Sequence, residues 1–339
     1  MGSVSKTFAL LILGLVLSSS VDLQPVAVKA EPQTLVVPDD FPTIQAAINN
    51  ASAGDTVYVK AGNYTTVEEP CGLYACNLFI NKSMSLIGES SKDTVITTAK
   101  KYYYSCGIYI TADNVTVSGF TMVGGSEVVW IDNGSATVSN NIINMTNDSD
   151  AIYAAGSGYT LISSNTINAL EQDKGTGIDN ANDGQTIISN NLISDFAVGI
   201  STSNNNLSIV NNTITNNAVG IWALTSPKLV YDNNIVNCTK VSLDPGFNNV
   251  NATYNWWGTT DSQAIYQSIN HYSPYNVTFT PFLTIPNPEA TPIQSATIPL
   301  PTPNKPSSEI PSAIIGSVSV AVAAVVVGGL IIFIKKHKH

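Results

Sequence analysis

The chain predicts an all-β fold, a parallel β-solenoid with coils of about 21–26 residues, and three observations predict it. Segments of one kind recur along the sequence: ATVSNNIIN, TLISSNTIN, TIISNNLIS, LSIVNNTIT and KLVYDNNIV, closing on ATYNWW. Anchored on Asn141, Asn165, Asn191, Asn212, Asn233 and Asn255, with Gly119 as the earlier equivalent, they are spaced 22, 24, 26, 21, 21 and 22 residues apart. A turn signal precedes the segments, NG at 133–134, GSG at 156–158, DG at 183–184, SNNN at 203–206 and SP at 226–227. A second short strand follows each anchor, among them VVWI, AIYA, VGIST and VGIWA, with the period-2 alternation of a strand. A unit this short cannot bury its own apolar face, so neighbouring units must stack. Each coil then advances the stack by about 4.8 Å, the spacing of hydrogen-bonded strands. Inward Ile, Val and Leu fill the interior, and Asn at the fixed turn position bonds to the Asn above and below.

The elements follow in chain order. Residues 1–30 read as a signal peptide: Lys6, then FALLILGLVL, then small residues with Val28 and Ala30 at a cleavage-site pattern. Residues 31–283 form the solenoid. Within it, Ile44, Ala47 and Ile48, after Pro42, fall on one helical face. Residues 284–311 hold eight of the 17 prolines among Ser and Thr, an extended semi-rigid stalk. Residues 312–334 are expected to be a transmembrane helix, because the 22 residues from Ala313 to Ile334 carry no charge. The tail 335–339, KKHKH, is placed in the cytoplasm by its lysines. The solenoid is therefore expected outside a cell membrane.

Composition excludes whole classes of function. The 339 residues include 14 cations, all Lys, against 24 acids, for a net charge of −10. No Arg occurs, and Asn occurs 35 times. Nucleic acid, whose phosphates select clustered Lys and Arg, is excluded as a partner. So is any mechanism that needs an Arg clamp or base.

The opening VPDDFPTIQAAINNASAGDTVYVKAGNY and the later LFINKSMSLIGE resemble the start of pectin-lyase-like right-handed β-helices. The NNTI-type repeats and the closing NWWG resemble the NosD-like surface β-helix proteins of archaea. The resemblance covers about residues 35–283. It implies a right-handed parallel β-helix whose N-terminal end is capped by a short helix over Thr43 to Ala51. Relatives of this kind include lyases, polygalacturonases, methylesterases and epimerases. Their Arg-dependent sites have no counterpart here, and DAIY at Asp150 and DFAVG at Asp195 only echo the methylesterase motifs. A copper site is not expected, because the ectodomain holds one His, His271, and scattered Met.

Register nominates a site. The outward positions of the second strands are Tyr109, Trp130, Tyr153, Asp179, Ser201, Trp222 and Ser242. Tyr109, Trp130 and Tyr153 fall in three consecutive coils and are expected to form a flat carbohydrate-binding strip. The two longest repeats beside them carry Asp148, Asp150, Glu171 and Asp173, with Glu127 in the same column, a candidate oxygen set for Ca²⁺. Lys174 is the nearby base for a lyase-like reaction. Cys71 and Cys76 bracket one loop and are expected to pair, leaving Cys106 and Cys238 free. Among twelve N-x-S/T sequons, Asn133 and Asn147 lie in turns and head the list for glycosylation.

The reading is a membrane-anchored surface β-helix that binds polysaccharide or cell-envelope components without catalysis and requires no cofactor. The alternatives are a Ca²⁺-assisted polysaccharide lyase or uronate epimerase using Lys174, and an inert structural spacer.

Overall fold

The computed structural model describes residues 31–292, apart from 73, 99–104, 125–126 and 270–273. The signal peptide, residues 293–311 of the stalk, the transmembrane helix and the tail lie outside the described residues. Among the described residues, no helix is long and apolar enough to cross a membrane.

The chain folds as an all-β solenoid of the right-handed type, with about ten turns. Each coil contributes one strand to each of three parallel sheets. Sheet A has nine strands, from Thr34–Val37 to Leu229–Tyr231; sheet B has eight, from Gly62–Thr66 to Asn234–Val236. Sheet C is built from Tyr74–Ile80, Ser105–Ile110, Glu127–Asp132, Asp150–Gly156, Lys174–Asn182, Phe196–Thr202, Val219–Ala223 and Val241–Asp244, with Glu69–Cys71 added antiparallel at its edge. The first helix, α1 (Ile44–Asn50), buries Ile44, Ala47 and Ile48 over the N-terminal coil. Thr43 caps it by accepting from the Ala46 N–H at 3.2 Å. A second helix, α2 (Ser262–Ser268), buries Ile265 near the other end.

The corner between sheets A and B explains the Asn-rich repeat. Two residues make the corner, and the first has a left-handed backbone: Asn140, Ser164, Asn190, Asn211, Asp232 and Tyr254, with φ between 55° and 58°. Most of these residues are Asn, Asp or Ser, small polar types; Asn and Asp visit this region at low cost. The second residue is the anchor Asn, turned inward. The backbone N–H and Nδ2 of Asn141 both donate to Asn165 Oδ1, and the pattern repeats through Asn191, Asn212, Asn233 and Asn255 at 2.9–3.2 Å. All six are at most 1% exposed. The corner thus satisfies its buried backbone groups with side-chain amides instead of strand partners.

One anchor needs correction. Gly119 (φ 85°) occupies the left-handed position, and the equivalent of the ladder Asn is Phe120, whose N–H donates to Asn141 Oδ1 at 3.1 Å. The first spacing is therefore 21 residues, since Ser139 pairs with Ser118. Glycine misled because it is the residue that adopts positive φ most freely.

The boundary of the stalk also moves. Residues 284–290 do not stand clear of the solenoid; they run back along it. Leu283 N–H donates to the Asn255 carbonyl, Asn287 Nδ2 donates to Asn211 Oδ1 and to the Asp232 carbonyl, and Asn190 Nδ2 donates to the Glu289 carbonyl. The Thr213 hydroxyl donates to the Ala290 carbonyl, and Ala290 is fully buried. Asn287, between Pro286 and Pro288, supplies donors and acceptors that match the corner.

Candidate functional site

Strand pairing places Phe79, Tyr109, Trp130, Tyr153, Asp179, Ser201, Trp222 and Asp244 in one outward column of sheet C. The expected column holds from Tyr109 to Trp222 and fails at its end. Asp244 takes the place expected for Ser242, which is buried.

The aromatic strip is not flat and open. The edge strand Glu69–Cys71 folds back against Tyr74–Ile80, joined by the Cys71–Cys76 disulfide, with Cα atoms 6.0 Å apart. The turn carries Tyr74 over the column, with its ring centroid 5.7 Å from Tyr109 and 4.5 Å from Trp130. Phe79 stacks on Tyr109 at 5.6 Å, and Trp130 meets Tyr153 edge-to-face at 5.7 Å. Such tilted pairing suits the ring quadrupoles and uses up the faces that a sugar would need. Tyr109 is only 6% exposed, while Trp130 and Tyr153 are half-buried. Trp130 is therefore part of a second, exterior apolar cluster with Cys71, Cys76, Cys106 and Tyr109. Tyr74 belongs to no repeat, so periodicity gave no hint of this cover. Further along the column, Trp222 is 40% exposed.

Carboxylates flank the column. The Tyr109 hydroxyl donates to Asp132 Oδ2 at 2.6 Å, and burial together with that bond raises the phenol well above its ordinary range. Ser149 donates to Glu127 Oε1 at 3.2 Å. Asp150 is pushed up to about 6, chiefly by desolvation, then by the charge of Asp179, against a hydrogen bond from Thr176. Desolvation also raises Asp179, with a hydrogen bond from Ser201 opposing it. The structure therefore groups Asp150 with Asp179 and Glu127. Asp179 was legible in the outward column, but only burial gives it a role.

The four expected Ca²⁺ ligands are not brought together as a set. Asp148 Oδ1 accepts from the Gly175 N–H at 2.8 Å, whereas Glu171 and Asp173 are exposed in the turn before Lys174. Among the described residues no three His, Cys, Asp or Glu side chains are placed to hold a metal ion. The extra length of the Asn165 repeat lies in residues 170–173, where the next coil has only Asp195 between its strands, and Glu171 and Asp173 are exposed there. Lys174 is exposed and pairs in the ladder with Phe196, off the aromatic column.

The remaining nominated residues have plain positions. Asn133 is exposed at a left-handed turn, and its Nδ2 donates to Asp132 Oδ1 at 2.8 Å. Asn147 is half-buried with its Oδ1 enclosed, which makes it the poorer sugar acceptor of the two. Cys106 lies beside Cys76 in the sheet, and burial pushes its thiol up to about 12; Cys238 is pushed to about 12 for the same reason.

Asp150 makes stability pH-dependent. Folded Asp150 keeps its proton to a higher pH than the unfolded chain does. Stability therefore falls as pH rises from about 4 to about 6, by at most about 3 kcal/mol. Asp150→Asn should gain on the parent between pH 4 and pH 7 in denaturant titrations. Equal differences at the two pH values would show that Asp150 is not desolvated.

Comparison with known proteins adds the following. The sequence model of the family described as rhamnogalacturonase A/epimerase, pectate lyase-like, matches residues 36–244. A cell surface glycoprotein of Methanothermus fervidus is 30% identical over 141 residues, 41% of this chain. The match spans 21% of that protein, so the chain answers to about a fifth of it. Among solved structures, pectin methylesterase PemA from Erwinia chrysanthemi overlaps with a TM-score of 0.36 at 14% identity, over 67% of this chain and 81% of that one. The A-module of mannuronan C-5 epimerase AlgE4 from Azotobacter vinelandii overlaps at 0.30 and 14% identity, over 70% and 94%. These overlaps assign no activity.

Proposed function

The chain belongs to the pectate lyase-like rhamnogalacturonase A/epimerase family, and from that premise we propose a cell-surface β-helix protein that binds neutral glycan on sheet C without catalysis. The observation that carries the reading is the stretch from Tyr153 through Asp179 and Ser201 to Trp222. It runs along the solenoid axis for about 14 Å at ~4.8 Å per coil. Trp222 offers an open ring face at one end, and the half-buried Trp130 and Tyr153 close the other. Between them, Asp179 can accept from sugar hydroxyls, with the buried Ser201 hydroxyl hydrogen-bonded to its carboxylate.

Charge selects the sugar. From Ser105–Ile110 to Val241–Asp244, the strands of sheet C carry Glu127, Asp132, Asp150, Asp179 and Asp244 against the single cation Lys174. An anionic uronate chain would meet like charge on this face. A neutral chain would meet acceptors. Attachment to the membrane through the C-terminal segment completes the proposal and leaves this face turned to the cell envelope or to a neighbouring polysaccharide.

Trp222→Ala should weaken retention of a neutral glycan on an array at least about tenfold. Melting should change little, because an exposed ring leaves no cavity. Tyr109→Phe should retain glycan normally. Undiminished retention by Trp222→Ala would refute this face as the binding site, and no retention by the parent protein would leave the spacer reading.

The raised Asp150 beside Asp179 favours one second reading, acid–base chemistry on a glycan bound at the same face. It predicts turnover products that vanish in Asp150→Asn. A lyase based on Lys174 would instead give an unsaturated product lost in Lys174→Ala.

A further inference from the structure

Apart from the Asn ladder and Asn217, the interior of the solenoid is largely apolar, but a further polar cluster lies at the corner between sheets C and A. In sheet A, one inward column reads Ala136, Thr160, Thr186, Leu207. In sheet C, the neighbouring column reads Ile131, Ala154, Asn180, Thr202, Ala223. Asn182 and Asn204 lie at the corner itself. Thr160, Thr186, Asn180, Asn182, Thr202 and Asn204 are all at most 2% exposed.

Thr186 is the hub of these six. Its hydroxyl donates to Asn180 Oδ1 at 3.4 Å and accepts from Asn182 Nδ2 at 3.0 Å and Asn204 Nδ2 at 3.4 Å. Asn182 Nδ2 also donates to the Gly158 carbonyl at 2.7 Å, and Asn204 Nδ2 to the Gly184 carbonyl at 2.8 Å. Three enclosed atoms then have no partner within the protein: Asn180 Nδ2, Asn182 Oδ1 and Thr160 Oγ1. Both amides converge on the Thr186 hydroxyl, and Thr160 pairs with Thr186 one coil away, about 4.8 Å along the stack.

We infer that this corner is an internal hydration site, holding one ordered water between Asn180, Asn182 and Thr160. The donor pattern selects the ligand. Asn180 offers a donor, Asn182 an acceptor, and Thr160 a hydroxyl that serves as either. A bare cation would face the amide protons of Asn180, and an anion would face the carbonyl oxygen of Asn182. A water meets all three at once, the usual number for a buried water. Thr and Ala, where the columns elsewhere place Leu and Ile, provide the room.

The site ties the coil of Thr160 to that of Thr186, while Asn204 ties the next. It lies on the inner side of the strand Lys174–Asn182, whose outer side presents Asp179. Polar groups that are satisfied in one register only make stacking specific at the point where the repeat length changes from 26 residues back to 21.

A crystal structure of the full chain that resolves ordered water should show one peak within about 2.7–3.2 Å of all three atoms. The isosteric Thr160→Val supplies an independent sign. With the water present, the variant strips it of a partner, and Tm should fall by about 2–4 °C. Without it, the parent carries an unsatisfied hydroxyl in a dry interior, and the same variant should melt at the parent's Tm or above. Absence of the peak, with the two amides rotated onto each other, or a Tm that does not fall, overturns the inference.

Discussion

Ile214→Asp is expected to unfold the coil it belongs to and those on either side, with loss of the far-ultraviolet β signal in proportion. Ile214 is fully buried, between Ile193 and Ile235 in sheet B. Removing the Ile side chain costs about 2–5 kcal/mol. The carboxyl must then stay neutral in a dry interior, and holding an ordinary carboxyl protonated at pH 7 costs about 4 kcal/mol more. The sum approaches or exceeds the whole stability of a typical domain. Because coils contact chiefly their neighbours, the damage should be local and spread outward. The protonation part should fade near pH 4, so the variant should recover part of its signal there. Hydrogen exchange would locate the loss. A variant that melts like its parent at pH 7 would mean that Ile214 does not face the interior.

The burial of Ile214 was legible because a solenoid repeats its own evidence. Ile193, Ile200, Ile214 and Ile221, which the period-2 alternation turns inward, are each fully buried. The outward column could be read for the same reason, six residues long without a break in register. Legibility ended where the chain stops repeating. Tyr74 opens the strand Tyr74–Ile80, at a hairpin with Glu69–Cys71 that no repeat contains, and it converts an exposed strip into a packed cluster. Segment 284–290 looked like a spacer because proline excludes regular ladders. Its docking depends on what Asn287 meets, which composition does not encode. The acids were counted correctly but grouped wrongly. Sequence distance from an anchor ignores the extra loop 170–173, which carries Glu171 and Asp173 into solvent. The pair that does form, Asp150 and Asp179, joins residues of different columns on adjacent coils.

Asn212→Ala is the sharper test of the corner, because its cost is set by orphaned partners and not by lost volume. Asn212 Oδ1 accepts from both the backbone N–H and the Nδ2 of Asn191, at 3.0 Å each. Its Nδ2 donates to the Ile188 carbonyl at 2.8 Å, to the Val210 carbonyl at 3.0 Å and to Asn233 Oδ1 at 3.0 Å. The substitution strands at least two donors on Asn191 and the Ile188 carbonyl in a corner that water does not reach. At about 1–3 kcal/mol for each unsatisfied group, the loss is roughly 3–6 kcal/mol or more, far above the usual cost of a lone hydrogen bond. Position along the stack supplies the control. Asn141 accepts only one bond from the coil above, from the Phe120 N–H, because no side-chain amide precedes it. Asn141→Ala therefore strands one donor fewer and should cost about 1–3 kcal/mol less than Asn212→Ala. Chemical denaturation of the two variants in parallel measures that gap. If the two cost the same, each Asn acts through its own turn alone and the coupling between coils is absent. If Asn212→Ala costs more by that margin, the ladder carries stability from coil to coil, through polar groups that elsewhere would favour water.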